Sequence, residues 1–320
     1  MSSPLSGAEE LPSWQLRLLE RIQATSYIHH RTLFHGYPQY SPAESGPNNA
    51  GPNIALERWR TNLAALEAER GEIELHAHSL DIPQPMIDYA IKTGGRGVRW
   101  GETPETARLP LAPVGENLTR LHLLEQISGD VWKLEHAALV RAEYLHRVHT
   151  VALPDNEAGE RQLHDNMAAL WRRIKGTASL IDLDAGTAQQ LWGRGPESWK
   201  RLAELTAASY TDAELQQRLG ELSWKGIEAE VSRVFDNQAA GNVTELQLPT
   251  PWQVAANAEK ALVAIRLADS EAGPQPGRDI GTAVEATGAG TETQWEPDPE
   301  QRPRPPDRDA GAGRDQGVWS

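Results

Sequence analysis

Asp130 to Val148 reads DVWKLEHAALVRAEYLHRV, and its spacing decides the fold class. Val131, Leu134, Ala138, Ala142, Leu145 and Val148 recur at three- and four-residue steps. That step stacks side chains along one face of a helix, whereas a strand alternates every second residue. The same pattern continues on either side. Toward the C-terminus, Leu163, Met167, Leu170, Trp171 and Ile174 mark a helix over Glu160–Ile181. Pro196 suits the first turn of the next, where its missing N–H is harmless. Thr211-Asp-Ala-Glu214 is a capping-box sequence that opens a helix to about Asn237. Thr250 and Pro251 start a last helix to about Ala268. Only TELQLP, around Leu246, alternates like a strand.

Toward the N-terminus the helical signal begins again at Asn117, after GETPETARLPLAPVGEN, which three prolines make an irregular connection. Asn53 caps a helix through Trp59, Leu63, Leu66 and Ile73, and Leu16, Leu19, Ile22 and Tyr27 mark another over Pro12–Leu33. Between them, His35–Pro52 holds four prolines and three glycines and reads as a loop. The expected fold is all-α, a multi-helix orthogonal or bundle-like array. Four regions are expected: residues 1–52, 53–110, a helical domain over 111–270, and a tail over 271–320. The tail carries eight glycines, seven prolines and ten acidic against five basic residues. It offers too little apolar surface to offset its ordering entropy, so it is expected to be disordered. Trp295 and Trp319 within it suit docking on a partner or plain exposure.

Composition narrows the function. The net charge of −14 argues against polyanion binding by the whole surface, so any nucleic-acid contact must be local. With no cysteine, disulfides, iron–sulfur clusters and thiol nucleophiles are excluded. Neither a secretory pattern nor a bilayer-length apolar run is found, so the expected location is cytoplasmic. Phosphate-binding glycine loops, nucleophile elbows and His-Glu-x-x-His are missing as well. No enzymatic activity and no cofactor are expected.

The most specific segment is ELHAHSLDIPQPMIDYAIKTGGRGVRW, Glu74–Trp100. Ala77 is a small residue where two helices would touch, Leu80 and Ile82 flank a turn, and Ile87 and Ala90 face inward on a second helix over about Pro85–Lys92. This fits a helix-turn-helix, although Asp81 stands where glycine is favoured in the turn. Gln84, Asp88 and Lys92 would lie outward; glutamine can read adenine, and Asp88 would repel phosphate. Arg96 and Arg99, in a glycine-permissive loop, could enter a minor groove. The opposing reading is a packed helix pair whose arginines neutralise the chain's own carboxylates. The candidate nucleic-acid contacts are Gln84, Lys92, Arg96 and Arg99.

Histidines raise a metal question. His76 and His78 point to different faces of a helix, and His29, His30 and His35 suit a helix end. Glu143 and His146 form a Glu-x-x-His pair, a spacing used in di-iron bundles, with His149, Glu160 and His164 as neighbours. The second such pair is missing, so no metal site is assigned. Asp182–Thr187, DLDAGT, suits a helix cap at Asp184 or Thr187 better than a phosphate loop. The tryptophans before the tail are expected in the core, with a tryptophan-lined pocket as the alternative.

The succession of helix, short apolar turn, I-x-x-A, G-x-x-G-V-R-W and DVWKLEH, over about residues 55–150, resembles uncharacterised actinobacterial helical proteins encoded near plasmid or phage genes. The resemblance implies a mobile-element setting and supplies no catalytic residue. The functional expectation is a non-enzymatic DNA-binding or DNA-associated accessory protein. The alternative is a helical interaction or scaffold protein, contacting a partner through the helices of 117–268 or the tail.

Overall fold

The structure is a computed structural model that describes residues 4–38, 51–109, 111, 115, 117–151, 153–154, 156–235 and 248–271. For residues 51–53, 232–235, 269 and 271 it describes the backbone alone. The chain divides into a compact unit, Met1–Glu271, and a second unit, Ala272–Ser320, that lies outside the described residues together with Trp295 and Trp319. Most of the expected loop over 35–52 and of the TELQLP stretch also lies outside them.

Among the described residues the fold is all-α. A 3-10 turn, Ala8–Glu10, precedes α1 (Ser13–His35), α2 (Gly51–Ser79), α3 (Gln84–Gly94), α4 (Pro104–Ala107), α5 (Leu118–Val151), α6 (Glu157–Leu180), α7 (Ala185–Trp192), α8 (Pro196–Ser209), α9 (Asp212–Leu222), α10 (Gly226–Phe235) and α11 (Pro251–Glu271). The expected caps account for several starts. Asp184 accepts the Thr187 N–H at α7, and Thr211 and Glu214 form a reciprocal capping box at α9. Thr250 accepts the Gln253 N–H ahead of Pro251 at α11.

Helix α5 is the hub. It packs on α6, α9 and α11, and more lightly on α1, α2, α7 and α8. Asp130 of α5 binds Arg173 of α6 at 2.5 Å, and Arg141 reaches Glu160 at 3.8 Å, so α5 and α6 run antiparallel. Leu163, Ile174, Leu191, Leu202 and Leu215 bring the other helices into the same core. At the other end α1 packs on both α2 and α3. His29 lies 3.4 Å from Glu67, and Trp59 Nε1 donates to the Thr32 carbonyl at 2.8 Å, so α1 and α2 also run antiparallel.

Besides the cap expected at Asn53, which lies inside α2 because that helix starts at Gly51, two expectations need correction. The helix opened by the capping box ends at Leu222 instead of continuing to Asn237. Asn166 Nδ2 of α6 donates to the carbonyls of Leu222 (2.7 Å) and Trp224 (3.0 Å), acceptors that a continuing helix would need for itself. The indole of Trp224 then lies over Gly226, where a Cβ would collide with it. The second correction is α4, within the expected irregular connection: Thr103 accepts the Thr106 N–H, and Pro104 sits in the first turn. Trp14, Trp132, Trp192 and Trp199 are core residues as expected, but Trp224 and Trp252 are 66% and 75% exposed.

Candidate nucleic-acid interface

The glycine-arginine run is a fixed surface rather than a free arm. It begins where α3 crosses α1. A Cβ on Gly94 would stand 2.2 Å from the Gln23 carbonyl oxygen, so a residue without a side chain is what permits this approach. Gln23 Nε2 then donates to the Val98 carbonyl at 3.0 Å. Gly97 has a positive φ of 78° and lies against the His30 ring, which an added Cβ would meet at 3.1 Å. Beyond the run, Trp100 Nε1 donates to the Leu109 carbonyl at 3.3 Å, and the Gly101 N–H donates to Thr106 Oγ1 at 2.9 Å. The run is thereby tied to α1 on one side and to α4 on the other.

The placement of the arginines follows from this seating. The Arg99 guanidinium lies 4.8 Å from the centroid of Tyr27, and that of Arg31 lies 5.9 Å from the same ring. Arg96 precedes Gly97 and is exposed. Lys92 is exposed in the last turn of α3. None of Arg31, Lys92, Arg96 and Arg99 has a carboxylate ion-pair partner among the described residues. Elsewhere, Arg17, Arg70, Arg120, Arg141, Arg147, Arg173, Arg194, Arg201, Arg218 and Arg266 are paired, whereas Arg21, Arg58, Arg60, Arg108, Arg161 and Arg172 also have no ion pair among the described residues. Glu102 is close by, but it accepts the Arg99 backbone N–H at 2.8 Å.

Gln84 is not part of this cluster. It opens α3, about 12 Å along the axis from Lys92, and donates to Asp88 Oδ1 at 2.8 Å. The outward stripe of α3 therefore pairs an acid, Asp88, with a base, Lys92, and has no net positive charge. Its flank is occupied too, because Tyr89 Oη bonds Thr103 Oγ1 at 2.9 Å. Helices α2 and α3 each pack chiefly on α1, and they touch one another only lightly. Asp81 adopts a left-handed φ of 56° in the turn, doing there what glycine was expected to do, and Arg201 of α8 grips its carboxylate.

Sequence reasoning missed the α1 half of the surface. Tyr27, His30, Arg31 and Phe34 share a face of α1, since they lie three and four residues apart. The Phe34 ring is 65% exposed and stands 4.6 Å from His30. The signal was present in Tyr27–Phe34, YIHHRTLF, where bases and aromatics interleave at helical spacing.

The other sequence candidates resolve into structure. His76 and His78 lie on different faces of α2, the first buried and the second half-buried. Glu143 is buried and held by Arg147 at 2.8 Å and by Arg266 at 3.0 Å, which leaves it unsuited to a metal. Among the described residues, no three His, Asp or Glu side chains gather as a metal site would require. His76 bonds Ser128 Oγ at 3.0 Å and stacks on Trp132, which stacks on His136, which meets Tyr210 Oη at 3.0 Å. Burial, then the nearby Arg194 and Arg21, pushes the His76 pKa down to about 3. Burial and Arg218 do the same to His136, also to about 3. Rings so reluctant to take a proton serve packing, not general base chemistry near neutral pH.

Trp192 and Trp199 line a cavity beside the Glu135–Arg194 ion pair. At about 40 Å³ it has room for one or two waters. No described helix is long and apolar enough to cross a membrane. Comparison with models of known protein families, with curated proteins and with solved structures finds no match.

Proposed function

We propose that this chain is a non-enzymatic DNA-binding accessory protein, and that it contacts DNA through the glycine-arginine loop seated on α1. The observation that carries the reading is the clustering of unpaired cations at one place in an acidic protein. Among the described residues Arg31, Lys92, Arg96 and Arg99 have no carboxylate ion pair, and Arg31 and Arg99 converge on the Tyr27 ring. Phosphate is the partner such a cluster suits, and an acidic remainder confines binding to that spot. Gln84 has no part in this contact. The mobile-element setting rests on the resemblance over residues 55–150.

A gel shift of the full chain with a mixed-sequence DNA at low salt tests the reading. Wild type should retard the DNA, and Arg96→Ala/Arg99→Ala should weaken retardation. Unchanged retardation by the double variant would remove the assignment to this loop.

One observation favours a second role. Trp224 and Trp252, on the helical body of 117–268, are exposed far beyond what tryptophan usually shows. Large aromatics of this kind anchor protein interfaces, so a protein partner on that body is compatible with DNA contact at the other end.

A further inference from the structure

Building on that reading, we infer that the α1 surface takes single-stranded DNA, with a base stacked on Phe34 and the flanking phosphates held by Arg31, Arg96 and Arg99. Four features converge on this. First, the face bearing Tyr27, Arg31 and Phe34 extends about 10 Å along α1, so it alternates aromatic and cationic groups over the reach of a few nucleotides. Second, the aromatic members differ in availability. Tyr27 is already covered by the Arg99 and Arg31 guanidiniums, while Phe34 presents most of its ring to solvent. Third, the ring has a fixed neighbour, since His30 lies against Gly97 and its ring is 4.6 Å from that of Phe34. Fourth, the element expected to read duplex DNA offers little: the outward stripe of α3 carries no net positive charge, and Gln84 is bonded to Asp88.

The choice of a single strand follows from base availability. Bases in a duplex are stacked on each other and present only their edges, so an exposed phenylalanine gains nothing from them. Unpaired bases offer whole faces. Stacking one on an aromatic side chain, beside a cationic track for the backbone, is the general mode of sequence-tolerant single-strand binding.

The test uses the full chain with a fluorescein-labelled oligothymidylate and with the same strand annealed to its complement, each over a salt series. Wild type should prefer the single strand. Phe34→Ala should weaken single-strand binding by about fivefold or more without altering its salt slope, because the ring carries no charge. Phe34→Tyr should restore it. Arg96→Ala/Arg99→Ala should lower both affinity and slope. Phe34 is exposed, so its removal leaves the core intact. If duplex binds as tightly and Phe34→Ala changes nothing while the arginine variant weakens both, the single-strand inference fails and the DNA reading survives. If wild type binds neither form at low salt, both fail. Binding to phosphatidylserine vesicles but to neither DNA would overturn both in favour of a membrane surface.

Discussion

Gly94 shows how one missing side chain positions a site. The Gln23 carbonyl lies where its Cβ would be, and Ser26 and the Tyr27 amide close the same space. Gly94→Ala must push α3 off α1, and overpacking of this kind costs about 1–3 kcal/mol. Urea denaturation should register that loss, and DNA retardation should fall with it, because Arg96 and Arg99 follow directly. A Gly94→Ala protein as stable as wild type would contradict the close approach. The residue scale also shows what sequence could and could not reveal. The helix reads as ending at about Lys92, and α3 ends close by, at Gly94, but nothing in the local pattern says that Gln23 waits opposite. Asp81 is the converse case. It stands where glycine is favoured in the turn, yet aspartate tolerates the left-handed conformation it adopts there, and Arg201 holds it from α8.

At the scale of elements, most starts were legible, α2 excepted because it begins at Gly51 ahead of Asn53, and the stops less so. A helix start is written locally, in a capping residue and the three that follow. Thr211 with Glu214, Asp184 with Thr187, and Thr250 with Gln253 all cap as read. The break after Leu222 is written in another helix, where Asn166 takes the carbonyls that α9 would need. Long-range partners of this kind are invisible to periodicity. The same limit hid the α1 half of the candidate surface: the aromatic and basic residues of Tyr27–Phe34 gain meaning only when the glycine loop lies on them. A local prediction follows for α9. Thr211→Ala removes the acceptor for the Glu214 N–H and the hydroxyl that donates to the Glu214 carboxylate, while the residue 211 backbone N–H still donates to Glu214, and should cost about 1 kcal/mol. Thermal melts comparing Thr211→Ala with Thr211→Ser should show a lower midpoint for alanine alone; equal midpoints would deny the capping box its share of stability.

For the compact unit as a whole, buried ionisable groups set the response to acid. His76 and His136 have folded pKa values near 3 against an ordinary 6.5, so the unfolded chain takes up their protons first. Their contribution is complete above about pH 6.5 and is lost as pH falls toward 3, at up to about 1.4 kcal/mol per pH unit for each ring. Glu135 acts the other way. Burial, opposed by Arg194, raises its pKa from 4.5 to about 6, so between those values the folded form takes its proton first and offsets one ring. Stability should therefore fall gently from pH 6.5 and more steeply below 4.5. His136→Phe keeps an aromatic ring in the stack and removes one titration, so urea midpoints measured against pH should show a shallower acid limb. An unchanged limb would mean that His136 is not held neutral.

The charge balance of the whole chain makes the remaining claim quantitative. A protein of net charge −14 binds DNA only where cations outnumber acids, and every phosphate so neutralised releases counterions. Fluorescence anisotropy of a labelled oligonucleotide, titrated with wild type and with Arg96→Ala/Arg99→Ala at several salt concentrations, reads this directly. Wild-type affinity should fall as salt rises, and the double variant should bind more weakly with a slope smaller by roughly 1.4–1.8, two phosphate contacts' worth. Identical affinity and slope for the two proteins, or no binding by wild type at low salt, would contradict DNA contact through the loop seated on α1.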